Sequence, residues 1–281
     1  MKKKFKRILY LITFFAVLII ISRAVNIYSI KSWEKQQKYG KDGILVGAES
    51  YHFDRGGDNI VMLHSLGGSP AEFKDIVIYL AGKNYNVDAL LLPGHGTTPE
   101  DLAKVGYEEW ISEVDHLLSM LDKDKTIISG TSTGSILALY FAQKYNLKGV
   151  ILLNSPLELQ SAYIKFISLI KLFTPYNVIN SDEYLEIKKE RVSYNALPYS
   201  SVEELLELTS EIKLQEIDEP ILILQSQKDE LVKVESAEVI FNNVNSQRKY
   251  VVYLSNSTHG VLTSDDKKLA VKVMEGFLQE L

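Results

Sequence analysis

The chain begins with a basic segment followed by an apolar one. Residues 1–7 read MKKKFKR, and residues 8–21 are apolar except for Thr13. A basic start before an apolar run at the extreme N-terminus is typical of a targeting segment, so we predict that residues 1–30 form a signal anchor or a signal peptide. Because positive charges stay on the cytoplasmic side, both alternatives place the remaining chain outside the membrane.

The expected location depends on whether this segment is removed. Ser22-Arg23-Ala24 is an acceptable cleavage site, and cleavage near Ala24 would give a secreted protein that begins at Val25. The near absence of a polar spacer between the apolar run and this site favours an uncleaved anchor. We therefore expect a cell-membrane protein with a single N-terminal anchor and an extracytoplasmic domain, with secretion as the alternative.

After this segment, short apolar runs alternate with helical patterns. Residues 31–50 predict a polar linker and the first strand region, and a hairpin-like pattern spans 44–63 around a turn at 55–58. The predicted buried strands are 59–63, 85–92, the run that Thr126 opens, 148–154, 220–225 and 249–254. Strands that alternate with helices indicate an α/β fold with a mostly parallel sheet covered on both faces, here over residues 51–281.

One stretch interrupts this alternation. Residues 155–219 contain helical patterns and no clear strand, which predicts a helical lid inserted into the sheet. Residues 162–173 (AYIKFISLIKLF) predict a lid helix with one narrow polar stripe of Lys165, Ser168 and Lys171. Its remaining apolar surface exceeds what one helix needs to dock, so we expect part of it to face an acyl pocket or a bilayer. The alternative is a buried helix packed on the sheet.

Composition and charge narrow the function classes. The 281 residues include no cysteine, which excludes disulfides, thiolate metal sites and cysteine nucleophiles. No metal-ligand spacing, dinucleotide fingerprint or P-loop occurs, so we expect no metal and no cofactor. The first 24 residues hold six basic and no acidic residues. The remainder carries 25 basic and 36 acidic residues, a net charge of −11, and such an acidic body argues against a nucleic-acid partner.

The stretch that carries the candidate chemistry is residues 126–145. Gly130-Thr131-Ser132-Thr133-Gly134 is a G-x-S-x-G between an apolar strand pattern and a helical one. In that context the turn is so tight that its neighbours must be small, and the serine hydroxyl projects above the sheet edge. Ser132 is therefore the candidate nucleophile. The alternative is a chance match in a turn rich in Gly, Ser and Thr.

A serine hydroxyl needs a base, and the base needs an acid to orient it. In this class of fold the three follow in the order Ser, Asp or Glu, His. His259 alone among the five histidines follows Ser132, in a loop after the last strand. Asp229 lies just beyond the strand before it and is the candidate acid, with Glu230 as the second choice. A turn-forming or helix-capping role is the alternative for Asp229.

The same chemistry requires two backbone N–H groups that stabilise an oxyanion. One is expected from Thr133, directly after Ser132, and the other from Leu66, in the loop after the strand at 59–63. His64 and His95 are expected to brace their loops. The two remaining histidines, His52 and His116, are expected to be ordinary surface or packing residues.

Several motifs in order resemble the α/β-hydrolases. They are HSLGGSP at 64–70, LPGHGTTPEDL at 92–102, Trp110 in a helix, GTSTG at 130–134, QSQKDELV at 225–232 and STHG at 257–260. Within that superfamily the chain looks most like bacterial carboxylesterases and monoacylglycerol lipases, grouped with the serine aminopeptidase-like hydrolases. The resemblance covers residues 51–281. It implies Ser132 as nucleophile, Asp229 as acid, His259 as base, and Leu66 and Thr133 as oxyanion donors.

Two positions depart from this resemblance. Ser65 and Ser135 stand where such proteins commonly have glycine, and Ser65 could narrow or re-aim the oxyanion loop. The implied activity is hydrolysis of carboxylic esters, with short-to-medium acyl chains or monoacylglycerols as substrates, through an acyl-enzyme. A peptidase or thioesterase with the same residues is one alternative, and a non-catalytic ligand-binding module is another.

Overall fold

The computed structural model of the chain describes residues 2–178 and 192–281. A seven-stranded sheet lies at its centre. Its strands are β1 (Tyr51–Phe53), β2 (Asn59–Leu63), β3 (Asn86–Leu90), β4 (Thr126–Thr131), β5 (Gly149–Leu153), β8 (Ile221–Ser226) and β9 (Lys249–Leu254). Two further short strands, β6 (Tyr176–Val178) and β7 (Ala196–Pro198), pair with each other in a separate sheet.

The order of the central strands is β1-β3-β2-β4-β5-β8-β9, and every pair is parallel except β1 with β3. The predicted mostly parallel sheet is therefore confirmed. The hairpin-like interpretation of residues 44–63 is wrong, because β1 pairs with β3 (Tyr51 opposite Ala89) and not with β2. Because β2 pairs with β3 on one side and with β4 on the other, β1 lies beyond β3. The chain therefore crosses β3 at the turn at 55–58 to reach β2.

Helices cover both faces of the sheet. The α-helices of the described residues are α1 (Lys2–Glu34), α2 (Lys74–Ala81), α3 (Pro99–Leu102), α4 (Tyr107–Ser119), α5 (Thr133–Ala142), α6 (Ile167–Phe173), α7 (Tyr199–Ser210), α8 (Glu235–Asn243) and α9 (Lys267–Glu280). Alternate residues of one strand enter different cores: Val61 packs with Trp110 on one face, and Ile60 packs with Phe73 on the other. Burial on both faces explains why β2 and β5 are nearly continuous apolar runs.

The N-terminal segment is one continuous helix. Among the described residues, Lys4–Glu34 is the one helix long and apolar enough to cross a membrane; its most apolar window has a mean hydropathy of 2.5 and no buried residue. The helix continues past the predicted boundary at residue 30 and ends at Glu34. Ile30 is fully buried beside Tyr176 and Ala196, so the end of α1 packs on the folded part of the chain.

The predicted insertion lies between β5 and β8. Its described part contains a 3₁₀ helix (Ala162–Phe166), α6, β6, β7 and α7, while residues 179–191 lie outside the described residues. The expectation that the insertion holds no strand is wrong, because β6 and β7 pair antiparallel, with Tyr176 opposite Pro198. Each has only three residues, too few to show an alternating pattern in the sequence.

Candidate active site

Ser132 stands at the tight turn between β4 and α5. Its backbone has φ 50° and ψ −119°, a conformation that costs free energy in any residue except glycine. The close packing around it leaves no room for side chains at the two flanking glycines. A Cβ on Gly130 would lie 2.0 Å from the carbonyl oxygen of Gly134, and one on Gly134 would lie 1.9 Å from that of Leu63. The G-x-S-x-G pattern therefore reflects a steric requirement here.

Backbone hydrogen bonds hold this strained turn. The Ser132 N–H donates to the carbonyl of Leu153 at the end of β5, at 2.9 Å. Its own carbonyl accepts from the N–H of Ser135 at 2.8 Å, and the Ser135 hydroxyl donates to the same oxygen. The serine that replaces a common glycine at position 135 thus adds a hydrogen bond to the turn.

Asp229 and His259 form a direct pair at the ends of neighbouring strands. His259 Nδ1 lies 2.9 Å and 3.0 Å from the two carboxylate oxygens of Asp229, whose side chain is fully buried. Because a carboxylate only accepts, Nδ1 carries the proton and Nε2 is left as the basic nitrogen. Asp229 also accepts the N–H groups of Leu231 and Val232, so the turn-forming alternative holds together with the pairing.

Glu230, the second-choice acid, has a different contact. Its carboxylate accepts the backbone N–H of His259 at 3.3 Å, while the imidazole ring contacts Asp229. Adjacent acids on a turn point in different directions, and the sequence alone left open which of them meets the ring.

Asn154 is a residue of this site that the motifs do not reveal. It follows β5 with φ 48°, is buried, and donates from Nδ2 to the carbonyl of His259 at 2.8 Å. Its Oδ1 accepts the N–H of Ser226 at 2.7 Å, so one amide joins β5, β8 and the histidine loop. A polar residue directly after a fully apolar strand was the signal that could have identified it.

The loop that contains Leu66 is held by a buried carboxylate. Glu72 accepts both the backbone N–H of Ser65, at 3.2 Å, and the Ser65 hydroxyl. Ser65, the residue expected to narrow or re-aim the loop, is thus fixed by Glu72 in front of Leu66. Glu72 is a second contact that no sequence motif predicts, because it lies seven residues beyond Ser65.

His64 and His95 brace loops, as expected. His64 Nδ1 lies 2.9 Å from the carbonyl oxygen of Ser65, and its Nε2 accepts the N–H of Leu92 at 3.1 Å. The His95 ring packs against the rings of His64 and Trp110. Complete burial lowers the pKa of His64 and holds the pKa of His95 well below its usual value. His52 and His116 are exposed, as expected.

One cavity of about 540 Å³ brings the candidate residues together. Ser132, Thr133, Leu66 and His259 all line it, and Asp229 lies behind His259. The rest of its wall is mainly apolar and comes largely from the insertion: Ile164, Ile167, Leu197, Tyr199, Val202 and Leu205. Among residues 2–178 and 192–281, no three His, Asp or Glu side chains form a group able to hold a metal ion.

Comparisons with known proteins extend these observations. The sequence profile of the family described as serine aminopeptidase, S33, matches residues 57–266. The chain is 23% identical over 242 residues to a carboxylesterase of Bacillus subtilis (strain 168), covering 84% of this chain and 98% of the relative. It is 27% identical over 234 residues to a thermostable monoacylglycerol lipase of Bacillus sp. (strain H-257), covering 82% of this chain and 93% of the relative.

A solved structure from work on the metagenome-derived lipolytic enzymes LipS and LipT has the same fold. The two superpose with a TM-score of 0.77 at 22% sequence identity, over 85% of this chain and 100% of that one. At this identity the likeness concerns the fold. Together with the family profile and the parallel sheet, it confirms the predicted α/β-hydrolase fold.

Proposed function

The chain belongs to the serine aminopeptidase S33 family of α/β-hydrolases, and from that premise we propose that it is a serine hydrolase that cleaves carboxylic esters. Short-to-medium acyl esters or monoacylglycerols are its proposed substrates, and an acyl-enzyme is the intermediate. The observation that carries the proposal is that His259, paired with the buried Asp229, lines the same cavity as the strained Ser132.

The first step is attack by Ser132. With Nδ1–H held by Asp229, His259 Nε2 accepts the hydroxyl proton as the Ser132 oxygen bonds to the ester carbonyl carbon. The carbonyl π electrons move to its oxygen, which becomes an oxyanion. Asp229, buried and stabilised by two backbone N–H groups, remains a carboxylate and stabilises the imidazolium that forms.

The oxyanion is received by the backbone N–H groups of Leu66 and Thr133, which lie on the same cavity wall as Ser132. Thr133 is the first residue of α5, and the first N–H groups of a helix have no partner within the helix. When the tetrahedral species collapses, the alcohol leaves with the proton from His259 and the acyl group stays on Ser132. A water molecule, deprotonated by His259, then releases the carboxylic acid and frees the serine.

The volume and lining of the cavity favour an acyl ester over the other substrates open to this family, which are peptide amides and thioesters. Its volume of about 540 Å³ falls in the range of small-molecule sites, and its insertion-derived wall is mainly apolar. The curated relatives, a carboxylesterase and a monoacylglycerol lipase, agree with such a substrate. A peptide amide or a thioester would use the same residues, so a substrate panel decides among these classes.

We also propose that α1 is an uncleaved membrane anchor that leaves the hydrolase domain outside the cell membrane. The basic residues 2–7 favour a cytoplasmic N-terminus. Arg23, which cleavage after Ala24 would remove, donates two hydrogen bonds to the carbonyls of Lys171 and Leu172. Cleavage would therefore remove a contact between Arg23 and the insertion, which supports an uncleaved anchor over a removed signal peptide.

Ser132→Ala tests the enzymatic proposal. The variant is expected to lose hydrolysis of a butyrate ester by a factor of about 10⁴ or more and to lose labelling by a fluorophosphonate probe, with an unchanged melting temperature. His259→Ala should lose a comparable factor, because the two residues act as a unit. Near-wild-type turnover in Ser132→Ala would refute the assignment. Faster cleavage of aminoacyl amides or thioesters than of esters by the wild type would favour those alternatives.

A further inference from the structure

The N-terminal helix is fastened to the insertion by side-chain hydrogen bonds. Arg23 Nη1 donates to the carbonyls of Lys171 and Leu172, in the last turn of α6, at 3.1 Å each. Asn26 Nδ2 donates to the carbonyl of Tyr176 at 3.0 Å, and its Oδ1 accepts the Tyr176 N–H at 3.1 Å. Arg23 thus satisfies helix-terminal carbonyls, and Asn26 pairs with both backbone groups of one β6 residue.

The remainder of α1 makes the connection rigid. Ile30 is fully buried against Tyr176, and Lys31 forms an ion pair with Glu100 at 2.8 Å. Trp33 meets the ring of Tyr194 edge-on at 5.9 Å. A helix held at Arg23, Asn26, Ile30, Lys31 and Trp33 cannot swing freely, so the direction of its apolar half relative to the insertion is set by the fold.

The depth of this junction follows from the length of the helix. Residues 4–22 span about 28 Å as an α-helix, close to the roughly 30 Å hydrocarbon core of a bilayer. If these residues cross the membrane, Arg23 lies at the outer surface, where its charge can reach water and lipid headgroups. The end of α6, which Arg23 contacts, then lies at the same surface.

The polarity of the 162–173 segment is reversed from that of a helix facing water. Two of the three side chains in its polar stripe contact the domain: the Ser168 hydroxyl and the Lys171 ammonium both bond to the Glu203 carboxylate, while Lys165 is exposed. Four of its large apolar side chains are instead exposed: Phe166 by 62%, Leu169 by 56%, Leu172 by 55% and Phe173 by 40%. This ridge, Phe166, Leu169, Leu172 and Phe173, is called the outer ridge below.

The inner side of the same segment forms a wall of the cavity. Ile164 and Ile167 line it together with Ser132 and His259, and Ile167 is only 5% exposed. One short segment therefore separates the outer ridge from the candidate active site. A molecule in contact with the outer ridge is therefore separated from the cavity by the width of one helix.

We propose that α1 and the 162–173 segment form one membrane-bound unit, in which Arg23 and Asn26 hold the segment on the bilayer and the outer ridge lies among the lipid acyl chains. An acyl substrate then reaches the cavity from the lipid rather than from water. The occupant of the outer ridge is a lipid surface, because the ridge is continuous with a helix whose apolar half is itself unburied. This inference rests on the membrane anchoring and ester hydrolysis proposed above.

Tryptophan quenching tests the placement without using activity. The full chain is reconstituted in phosphatidylcholine vesicles with brominated acyl chains, which quench only indoles within the lipid. Phe166→Trp and Leu169→Trp should each add fluorescence that bromolipid quenches, measured as the difference from the unsubstituted protein with its two native tryptophans. Met120→Trp is the matched control: it is 64% exposed and precedes β4, whose other end carries Ser132, so its added fluorescence should persist.

The fastening is tested in the same vesicles. Arg23→Ala combined with Asn26→Ala should reduce the quenching of Trp at 166 by at least half, while the protein stays in the vesicle fraction. Unchanged quenching in that variant would refute the role of the two side chains. Absence of quenching at 166 and 169 in the otherwise wild-type chain would refute the proposal as a whole, as would shielding of both positions by a second copy in a dimer.

A substrate comparison tests the route. Phe166→Asp combined with Leu169→Asp should lower hydrolysis of a monoacylglycerol embedded in vesicles by about tenfold or more. The same variant should retain hydrolysis of a soluble butyrate ester within twofold, and Met120→Asp should leave both unchanged. Equal loss on both substrates would refute the route. A wild-type protein that cleaves neither substrate would refute the proposed function, while the quenching result would still decide the membrane placement.

Discussion

At the scale of single residues, the site depends on polar side chains that lie away from the reacting atoms. Glu72 accepts two hydrogen bonds from Ser65 and so fixes the peptide that precedes Leu66. The oxyanion-donor role proposed for the Leu66 N–H requires that this peptide keeps its orientation. The serine at position 65, which departs from the common glycine, is in this structure the hydroxyl partner of Glu72.

Glu72→Ala is expected to lower kcat for a soluble ester by about 10- to 100-fold, because one oxyanion donor would lose its orientation. Ser65→Gly should cost less than tenfold, since the backbone N–H at position 65 still reaches Glu72. Steady-state kcat and KM are measured together with the melting temperature. A folded Glu72→Ala variant with an unchanged kcat, whether or not its KM rises, would contradict this role.

The two buried histidines predict a loss of stability in mild acid. Burial depresses the pKa of both His64 and His95, so well above about pH 6.5 neither the folded nor the unfolded state binds a proton there. Below that pH the unfolded chain takes up protons that the folded chain refuses. The free energy of unfolding should therefore fall as pH drops, by at most about 1.4 kcal/mol per pH unit for each histidine while the folded state stays unprotonated there.

His95→Phe should make this decline shallower, because the slope of the free energy of unfolding against pH loses the contribution of one histidine. His116→Gln, at an exposed position, is the control for removing a histidine. Urea unfolding in detergent at pH 7.5, 6.5 and 5.5 measures the slope. An equal slope in wild type and His95→Phe would show that His95 does not resist protonation in the folded state.

At the scale of elements, the turn from β4 into α5 couples backbone packing to chemistry. The helix enters directly beneath the end of β2, where Gly134 meets the carbonyl of Leu63. Nearly every residue of α5 is buried, so the helix cannot shift to relieve a clash. The position of the Ser132 hydroxyl is thus set by the packing of a whole helix against two strands.

Gly134→Ala should destabilise the protein by about 3 kcal/mol or more, because the new methyl group overlaps backbone atoms that cannot move aside. Gly276→Ala is the matched control. No atom lies within 4 Å of a Cβ added there, in the middle of α9, so the substitution should stabilise by up to about 1 kcal/mol. Thermal unfolding of both variants is the measurement. A Gly134→Ala protein as stable as the wild type would contradict the close approach.

At the scale of the whole molecule, the end of α1 and the α/β-hydrolase domain are one packed structure. The end of α1 buries Ile30 and pairs Lys31 with Glu100, so residues 25–34 behave as part of the domain. The first residues of the predicted polar linker at 31–50 belong to this helix, which ends at Glu34.

A truncated chain that begins at Val25 should therefore be more stable than one that begins at Lys31. Removing Ile30 and Asn26 exposes the apolar surface of Tyr176 and Ala196, at a cost of about 2 kcal/mol or more. For a domain of this size that corresponds to a melting temperature lower by about 5 °C or more. Equal melting temperatures would mean that the contacts of residues 25–30 contribute nothing to the fold.

Short-range patterns in the sequence were enough to predict the α/β architecture and the tight turn that carries Ser132. The reason is local: a turn that excludes side chains demands Gly130 and Gly134, and buried parallel strands demand continuous apolar runs. Such requirements act between neighbours in the chain, so they can be recognised without any knowledge of the fold.

Only the tertiary structure decided the rest. It paired β1 with β3, chose Asp229 over Glu230 for the imidazole ring, and brought Asn154 and Glu72 to the site. It also joined Asn26 to Tyr176, 150 residues further along the chain. These outcomes depend on which distant segments become neighbours and on the direction in which each side chain then points, and no local pattern of hydrophobic and polar residues records either.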